Sequence, residues 1–304
     1  MTDNEETRAA RDGSRVAVVT CAEFPDLEAD DRLLLGPLAA RGIAAEPVVW
    51  DAPGIDWSTY DLAVLRSPWD YVPRREEFVA WARSVPRLAN PSDIVEWNTD
   101  KRYLGNLAAA GARTVPTMWL APGDAWAAPA TGEFVIKPAV SAGSKNTGRY
   151  DLGDDDQRRV AVEHVDRLLT AGRVVMVQPY LSAVDDVGET ALLFLAGPNG
   201  LAFSHAIRKG PLLTGPDLGG DGLYKAETID RGTASAAELD TARRVLAAVP
   251  GGSDRLLYAR VDLIPGPDGA PLLVELELTE PSLFLGYDDG APARFAEAIA
   301  MRLA

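Results

Sequence analysis

Short apolar runs and amphipathic segments alternate from residue 15 to about residue 97. The runs "RVAVVTC", "AEPVVW" and "YDLAVLRS" are brief, rich in β-branched residues and bounded by polar or turn-forming positions, so they predict strands. Between and after them, "EADDRLLLGPLAARG" predicts an amphipathic helix disturbed at Pro37, and "RREEFVAWARS" predicts a second helix. Strands that alternate with helices imply a mostly parallel sheet, hence a small doubly wound α/β domain. Ligand-facing loops in such sheets lie past the carboxyl ends of strands, which singles out "TCAEF" and "RSPWDY".

The rhythm changes at "NTDKRYLGNLAAAGARTVPT", where Asn98 or Thr99 is expected to cap a helix ending at Gly111. Beyond it, "EFVIKPA" predicts a strand, "VSAGSKNTGRY" a small-residue loop, "QRRVAVEHVDRLLTAG" a helix and "RVVMVQPYL" another strand. Two hairpins follow, "GETALLFLAG"/"LAFSHAIRKG" about the turn "PNG" and "RLLYARVDLIPG"/"APLLVELEL" about "PDG", with a terminal helix from about Ala291. Glycine-rich "TGPDLGGDGLY" is too polar for a core and is expected to be a mobile loop. Residues 1–14 are expected to form a disordered polar tail, 15–97 the first domain, and 98–304 a second, with a lid at about 115–180 and a C-terminal part at about 181–304.

Composition narrows the function. The 304 residues are 47% hydrophobic, enough for a real core, and the formal charge of −15 opposes general binding to nucleic acid or to an anionic membrane. No apolar run approaches a bilayer span and the first fourteen residues lack the apolar segment of a secretory signal, so a cytoplasmic protein is expected. One cysteine, Cys21, leaves no internal disulfide, and two histidines leave little for a zinc site.

With only 30 Lys and Arg, cations set among apolar strands are informative. Lys137 lies inside "FVIKPA", where an ammonium is costly unless it meets an anion; the bland alternative is a lysine that reaches solvent. The following "SAGSKNTG" has the small residues that let backbone N–H groups close on a phosphate, although neither a P-loop nor a dinucleotide fingerprint is present. In "VELELTEPSLF", Glu275 and Glu277 share a strand face opposite Val274, Leu276 and Leu278. The turn "PGPDG" folds them back toward Asp262, with Arg260 two residues before it. Three carboxylates on one face suit Mg²⁺, which takes one or two from protein and completes its shell with water and phosphate. A solvated acidic strand face is the bland reading.

The order of these elements resembles the ATP-grasp superfamily of carboxylate–amine ligases, which includes glutathione synthetase and D-alanine:D-alanine ligase. The match comprises Lys101, the strand lysine Lys137, the loop from Ser141 to Gly148, "VVMVQPYL", the acidic "VDDVGET", and Arg260, Asp262, Glu275 and Glu277 at spacings of two, thirteen and two. It covers about two-thirds of the chain. The resemblance implies an ATP-grasp fold, α+β in the nucleotide domain, behind the doubly wound domain. It implies that Lys101 and Lys137 meet the ATP phosphates under a lid that includes Ser141, Gly143 and Ser144. Gln178, Tyr180 and Leu181 would form the adenine hinge, with Glu189 or Asp186 at the ribose. Lys209 or Arg208, with Lys225 as the competing choice, would be the third phosphate contact. Asp262, Glu275 and Glu277 would hold Mg²⁺, or Mn²⁺ in its place; many relatives carry asparagine at the position of Glu277. A carboxylate would attack the γ-phosphate to give an acylphosphate, which an amine then attacks, with Arg260 as principal catalytic side chain and Lys209 assisting.

The N-terminal "TCAEFPDLEADDRLL", the "RSPWDY" loop and "ELTEPSLFL" are similar to the group that contains O-ureido-D-serine cyclo-ligase. A small amino-acid substrate would suit them. Arg66 would pair with its carboxylate and Asp70 or Glu23 with its ammonium, while Trp69 or Tyr71 would wall the pocket and Glu280 and Ser282 would be secondary contacts. The bland reading of "RSPWDY" is a structural turn. An intermolecular ligase, a small-molecule kinase on the same nucleotide site and a nucleotide sensor without turnover are the competing functions. A homo-oligomer is compatible with the sequence.

Overall fold

The computed structural model describes residues 13–217 and 228–304. The expected tail therefore lies almost wholly outside the described residues, as does the part of the glycine-rich stretch from 218 onward.

Strands β1 (Arg15–Thr20), β2 (Ala44–Val49), β3 (Leu62–Ser67) and β4 (Leu88–Ala89) form a parallel sheet in the order β2-β1-β3-β4. The near-continuous apolar runs of the central strands β1 and β3 follow from burial on both faces. Val16, Val18, Leu62 and Val64 pack toward Leu34 and Leu38 and toward Phe295 and Ile299 of the terminal helix. Ala17, Val19, Ala63 and Leu65 alternate to the other face, against Trp50, Phe78, Ala82 and Val95. The helix expected from "EADDRLLLGPLAARG" is shorter than its pattern suggested: a 3₁₀ turn over Asp31–Leu34 runs into α1 (Leu35–Ala39). "RSPWDY" closes as a 3₁₀ turn over Trp69–Arg74 ahead of α2 (Arg75–Ser84).

The expected cap at Asn98 or Thr99 is corrected. A helix α3 (Ser92–Asn98) ends there, and a separate α4 (Tyr103–Ala109) follows. The Asn98 side chain instead spans the end of the last strand, donating to the Leu276 carbonyl and accepting from the N–H of Leu278 just beyond it, each at 2.7 Å. Its short amide is used across the fold, where only long-range packing could place it.

Two antiparallel sheets make up the rest. Strands β5 (Met118–Leu120), β6 (Glu133–Pro138), β7 (Gly148–Asp151) and β8 (Val175–Pro179) lie in the order β5-β8-β6-β7, backed by α5 (Asp155–Thr170). After the short α6 (Ala183–Val187) come β9 (Glu189–Gly197), β10 (Gly200–Lys209) and β11 (Ile229–Gly232), then α7 (Ala236–Ala247), β12 (Tyr258–Pro265), β13 (Pro271–Glu277) and α8 (Ala291–Leu303). The sheet order is β11-β10-β9-β12-β13, so the two predicted hairpins join through β9 and β12. Both hairpins form in the expected antiparallel sense.

One face of this five-stranded sheet changes character along its length. Tyr258, Leu193, Leu195 and Ile207 pack into the core that includes α8, whereas Arg260, Asp262 and Ile264, which share the Tyr258 face of β12, line a cavity. A group of buried polar side chains pins the parallel sheet beside this transition. Asn90 donates to the carbonyls of Tyr258 and Leu278, and the Tyr258 hydroxyl donates to the carbonyls of Leu65 and Thr279.

Arg66 is the charged member of that group. It is fully buried, its Nε donates to Asp31 at 2.9 Å, Nη2 donates to the Pro281 carbonyl at 2.5 Å, and its guanidinium lies over the rings of Tyr258 and Phe295. Removing one partner of a buried pair strands the other's charge, at a cost of about 3–5 kcal/mol. Arg66→Met should lower the unfolding free energy by about that amount in urea titrations, and adding Asp31→Asn should recover part of the loss. Equal stability of Arg66→Met and the native chain would refute this account.

Candidate active site

A cavity of about 570 Å³ lies among the four-stranded antiparallel sheet, the charged end of the five-stranded sheet and the turns that follow β3 and β13. Strand register gathers its charges. Lys209 is paired with Glu189 across β10 and β9, Arg260 with Glu277 across β12 and β13, and Asp262 with Glu275 beside it. The β12–β13 register shifts just past Asp262, where Val274 is an extra residue that locally reorients the strand.

The contacts are dense. Lys209 Nζ donates to Glu189 and to Asp262, each at 2.8 Å. Arg260 grips both Asp262 oxygens through Nε and Nη2, reaches Glu277 through Nη2 and donates from Nη1 to the Ser282 carbonyl at 3.3 Å. Lys101 Nζ meets the Ser141 carbonyl at 2.6 Å and Glu275 at 3.0 Å. Lys137, on β6, is also buried, yet its ammonium makes no ion pair or hydrogen bond among the described residues. Burial lowers its pKa, against the opposing pull of Glu275.

The carboxylates divide according to their neighbours. Burial pushes Asp262 up, but Arg260 and Lys209 more than offset it and hold the group below its ordinary range; Lys101 and Lys137 do the same for Glu275. Glu277 goes the other way. Burial raises it to about 8 despite Arg260, helped by repulsion from Glu275 and Asp262. Burial likewise raises Glu189 and Glu280 to about 7.

The small-residue loop lines the cavity through Ser141, Gly143 and Ser144. Gly143, Ser144 and Asn146 all have positive φ near 50–60°, on either side of Lys145, a turn-rich backbone of the kind that can form an anion-binding nest. Across the cavity, Gln178 is held by a 2.9 Å bond to Thr117, and Tyr180 is fixed by a 2.5 Å bond to Asp185 with Arg149 stacked 3.6 Å from its ring centre. Leu181 lies beside them.

Of the other expected residues, Trp69, Tyr71, Glu280 and Ser282 line the cavity. Five do not. Arg66 is enclosed in the core on Asp31, so it cannot face a substrate carboxylate. Asp70 accepts from Trp50 Nε1 and Arg74, and Glu23 borders a separate shallow hollow with Phe24 and Arg32. Asp186 is exposed on α6, leaving Glu189 as the acidic residue of that pair within the cavity. Arg208 follows the strand alternation to the opposite face from Lys209 and packs against Gly188. Lys225 lies outside the described residues. Sequence reading missed Phe284 and Tyr287, which add two aromatic walls, and Thr117, which orients Gln178; the aromatic pair in "SLFLGY" was the available signal.

This arrangement of sheets and charged cavity defines a class. The ATP-grasp ligase PsnB, solved with a phosphomimetic precursor variant, Mg and ADP, shares the fold with a TM-score of 0.59 at 17% identity, over 96% of this chain and 99% of that one. The protein has the ATP-grasp fold. More specifically, the D-cycloserine synthetase DcsG N-terminal domain model matches residues 16–90. The chain is 39% identical to the cycloserine biosynthesis protein DcsG of Streptomyces lavendulae over 307 residues, covering 95% of this chain and 98% of that protein. A crystal structure of D-cycloserine synthetase DcsG matches with a TM-score of 0.84 at 36% identity, covering 96% of this chain and 100% of the other. The chain belongs to the DcsG family of ATP-grasp ligases. No helix among the described residues is long and apolar enough to cross a membrane.

The raised Glu277 gives a test of the site's electrostatics. A carboxyl at about 8 in the folded chain and 4.5 unfolded holds its proton more tightly when folded. The free chain therefore loses stability from this group as pH rises from about 4.5 to about 8. Glu277→Gln removes that loss, so its thermal midpoint, measured without ligands, should exceed the native value by a margin that is small at pH 4, grows to pH 8 and then levels off. A constant or negative margin would contradict the assignment.

Proposed function

We infer that this ligase uses MgATP to activate the carboxylate of a small amino acid as an acylphosphate and joins it to an amine, with ring closure of O-ureido-D-serine to D-cycloserine as the reaction. The observation that carries the nucleotide half is Lys137: a buried ammonium in the cavity wall without an anionic partner among the described residues. Such a group is costly until a phosphate meets it. The likeness to DcsG supports the choice of substrate.

The residues present fit a divalent ion delivered on the nucleotide. Among the described residues no three ligating side chains form a ready-made cage, and Asp262, Glu275 and Glu277 are each held by a cation. A donor set of hard oxygens, completed by phosphate, is what Mg²⁺ takes, and Mn²⁺ is the ready substitute. These three residues would hold the ion, which would neutralise phosphate charge.

The chain's own groups do the rest. Lys101, Lys137 and Lys209 balance the phosphate oxygens, with the N–H groups of the Ser141–Gly148 loop over them. The adenine lies against Gln178, Tyr180 and Leu181; the Tyr180 N–H is engaged by the Glu133 carbonyl and the Leu181 carbonyl by the Val184 N–H, which leaves the Leu181 N–H for the ring edge. Glu189 takes the ribose hydroxyls. The substrate carboxylate attacks the γ-phosphate, and ADP leaves. The amine then adds to the acyl carbon, Arg260 stabilises the oxyanion, and phosphate departs. Because two carboxylates and the Ser282 carbonyl fix Arg260, its guanidinium needs little reorganisation as charge develops.

Incubation with Mg-ATP and O-ureido-D-serine should release phosphate and form D-cycloserine without a second amine. Dependence on an added amine would favour an intermolecular ligase, and a stable phosphorylated product a kinase. Glu275→Gln should abolish turnover while leaving the circular dichroism spectrum unchanged. Retained activity at saturating magnesium would remove Glu275 from the metal set.

A further inference from the structure

Inside the cavity nearly every carboxylate already has a partner. Glu189, Asp262, Glu275 and Glu277 each meet a lysine or arginine. Asp30 accepts the backbone N–H groups of Leu285 and Gly286, and Glu28 accepts that of Asp30. Glu280 differs. Among the described residues its carboxylate forms no ion pair; it meets the Tyr71 hydroxyl, while its backbone carbonyl accepts from Trp69 Nε1 at 3.0 Å. Trp69, Tyr71, Phe284 and Tyr287 wall the same cavity.

An anion in an aromatic-walled corner with no cation in direct contact is costly, and burial drives the Glu280 carboxyl up to about 7 against the Tyr71 hydrogen bond and the more distant pull of Lys101 and Arg260. A cation entering there would meet both the carboxylate and the ring faces. The cavity thus holds two charged side chains of opposite sign, Lys137 and Glu280, that form no ion pair among the described residues. They are complementary to a nucleotide phosphate and a substrate cation respectively.

We propose that Glu280 holds the substrate's α-ammonium and makes a free amine a requirement for binding. This rests on the amino-acid reading above, but it assigns the ammonium to a residue other than Asp70 or Glu23, which lie outside the cavity. Arg260 helps fix the orientation. Its Nη1 holds the Ser282 carbonyl, two residues beyond Glu280, so an ammonium bound at Glu280 leaves the carboxylate end of a short amino acid directed to the arginine and the phosphate site.

Calorimetric titration in the presence of Mg-ADP, using O-ureido-D-serine and its analogue lacking the α-amino group, tests this without requiring turnover. The native protein should bind the amine form about 10- to 100-fold more tightly, the usual value of a charge-assisted hydrogen bond. Glu280→Gln should bind the two alike, and Glu280→Asp should retain part of the preference, which covers the case in which the glutamine variant fails to fold. Persistent preference in Glu280→Gln, or no preference in the native protein, overturns the proposal. A native protein that prefers the amine form yet never turns it over would sink the ligase reading while leaving Glu280 in its role.

Discussion

Most of the charge in the site is buried in compensated pairs. Asp262 illustrates the constraint: it is almost wholly enclosed, yet it stays ionised because Arg260 and Lys209 bind it from two strands of the same sheet. An isolated carboxylate at that depth would take up a proton instead. The cross-strand register that sets Arg260 against Glu277, Asp262 against Glu275 and Lys209 against Glu189 is therefore an electrostatic requirement as well as a hydrogen-bonding one. A slip of one residue would turn these side chains to the opposite face and leave them among apolar neighbours.

Pairing also explains how a chain with an excess of acid maintains a phosphate site. The net charge of −15 repels anions at long range, but the cavity concentrates four of the scarce cations, Lys101, Lys137, Lys209 and Arg260, in its walls. Three of these are tied to carboxylates and so are held in place. Preorganisation of this kind keeps the cost of arranging charge in the folded protein rather than in the reaction. Asp262 and Glu277, low and high in proton affinity on adjacent strands, show how strongly local partners separate two chemically similar acids.

The parallel sheet adds position to this chemistry. Arg66, Asn90 and Asn98 bind backbone groups of the segment from Leu276 to Pro281, so the stretch bearing Glu277, Glu280 and Ser282 is fixed from the N-terminal side, and Tyr258 of β12 adds a bond to the Thr279 carbonyl. Satisfied buried polar groups of this kind specify one arrangement strongly, because any other leaves donors or acceptors without partners. Trp69 extends the same link to the Glu280 carbonyl.

Local pattern determined much of this protein. Alternation and turn residues were enough for β1, β2, β3, both hairpins, α5 and α8, and the spacing of Arg260, Asp262, Glu275 and Glu277 was enough to put their side chains on one face, because strand periodicity is a property of the backbone. The short elements β4, β5, β11 and α3 were not legible, since runs of two to seven residues carry little periodic signal, and α7 was passed over although its Ser235 and Glu238 form a capping box. What only tertiary structure decided was the fate of polar residues whose type is ambiguous. Arg66 and Asp70 belong to the same promising loop as Trp69 and Tyr71, yet the first two turn to Asp31, Trp50 and Arg74 while the others face the cavity. A sequence records that a residue is charged; which partner neutralises it depends on contacts from distant parts of the chain, and for Arg66 and Pro281 those parts are 215 residues apart.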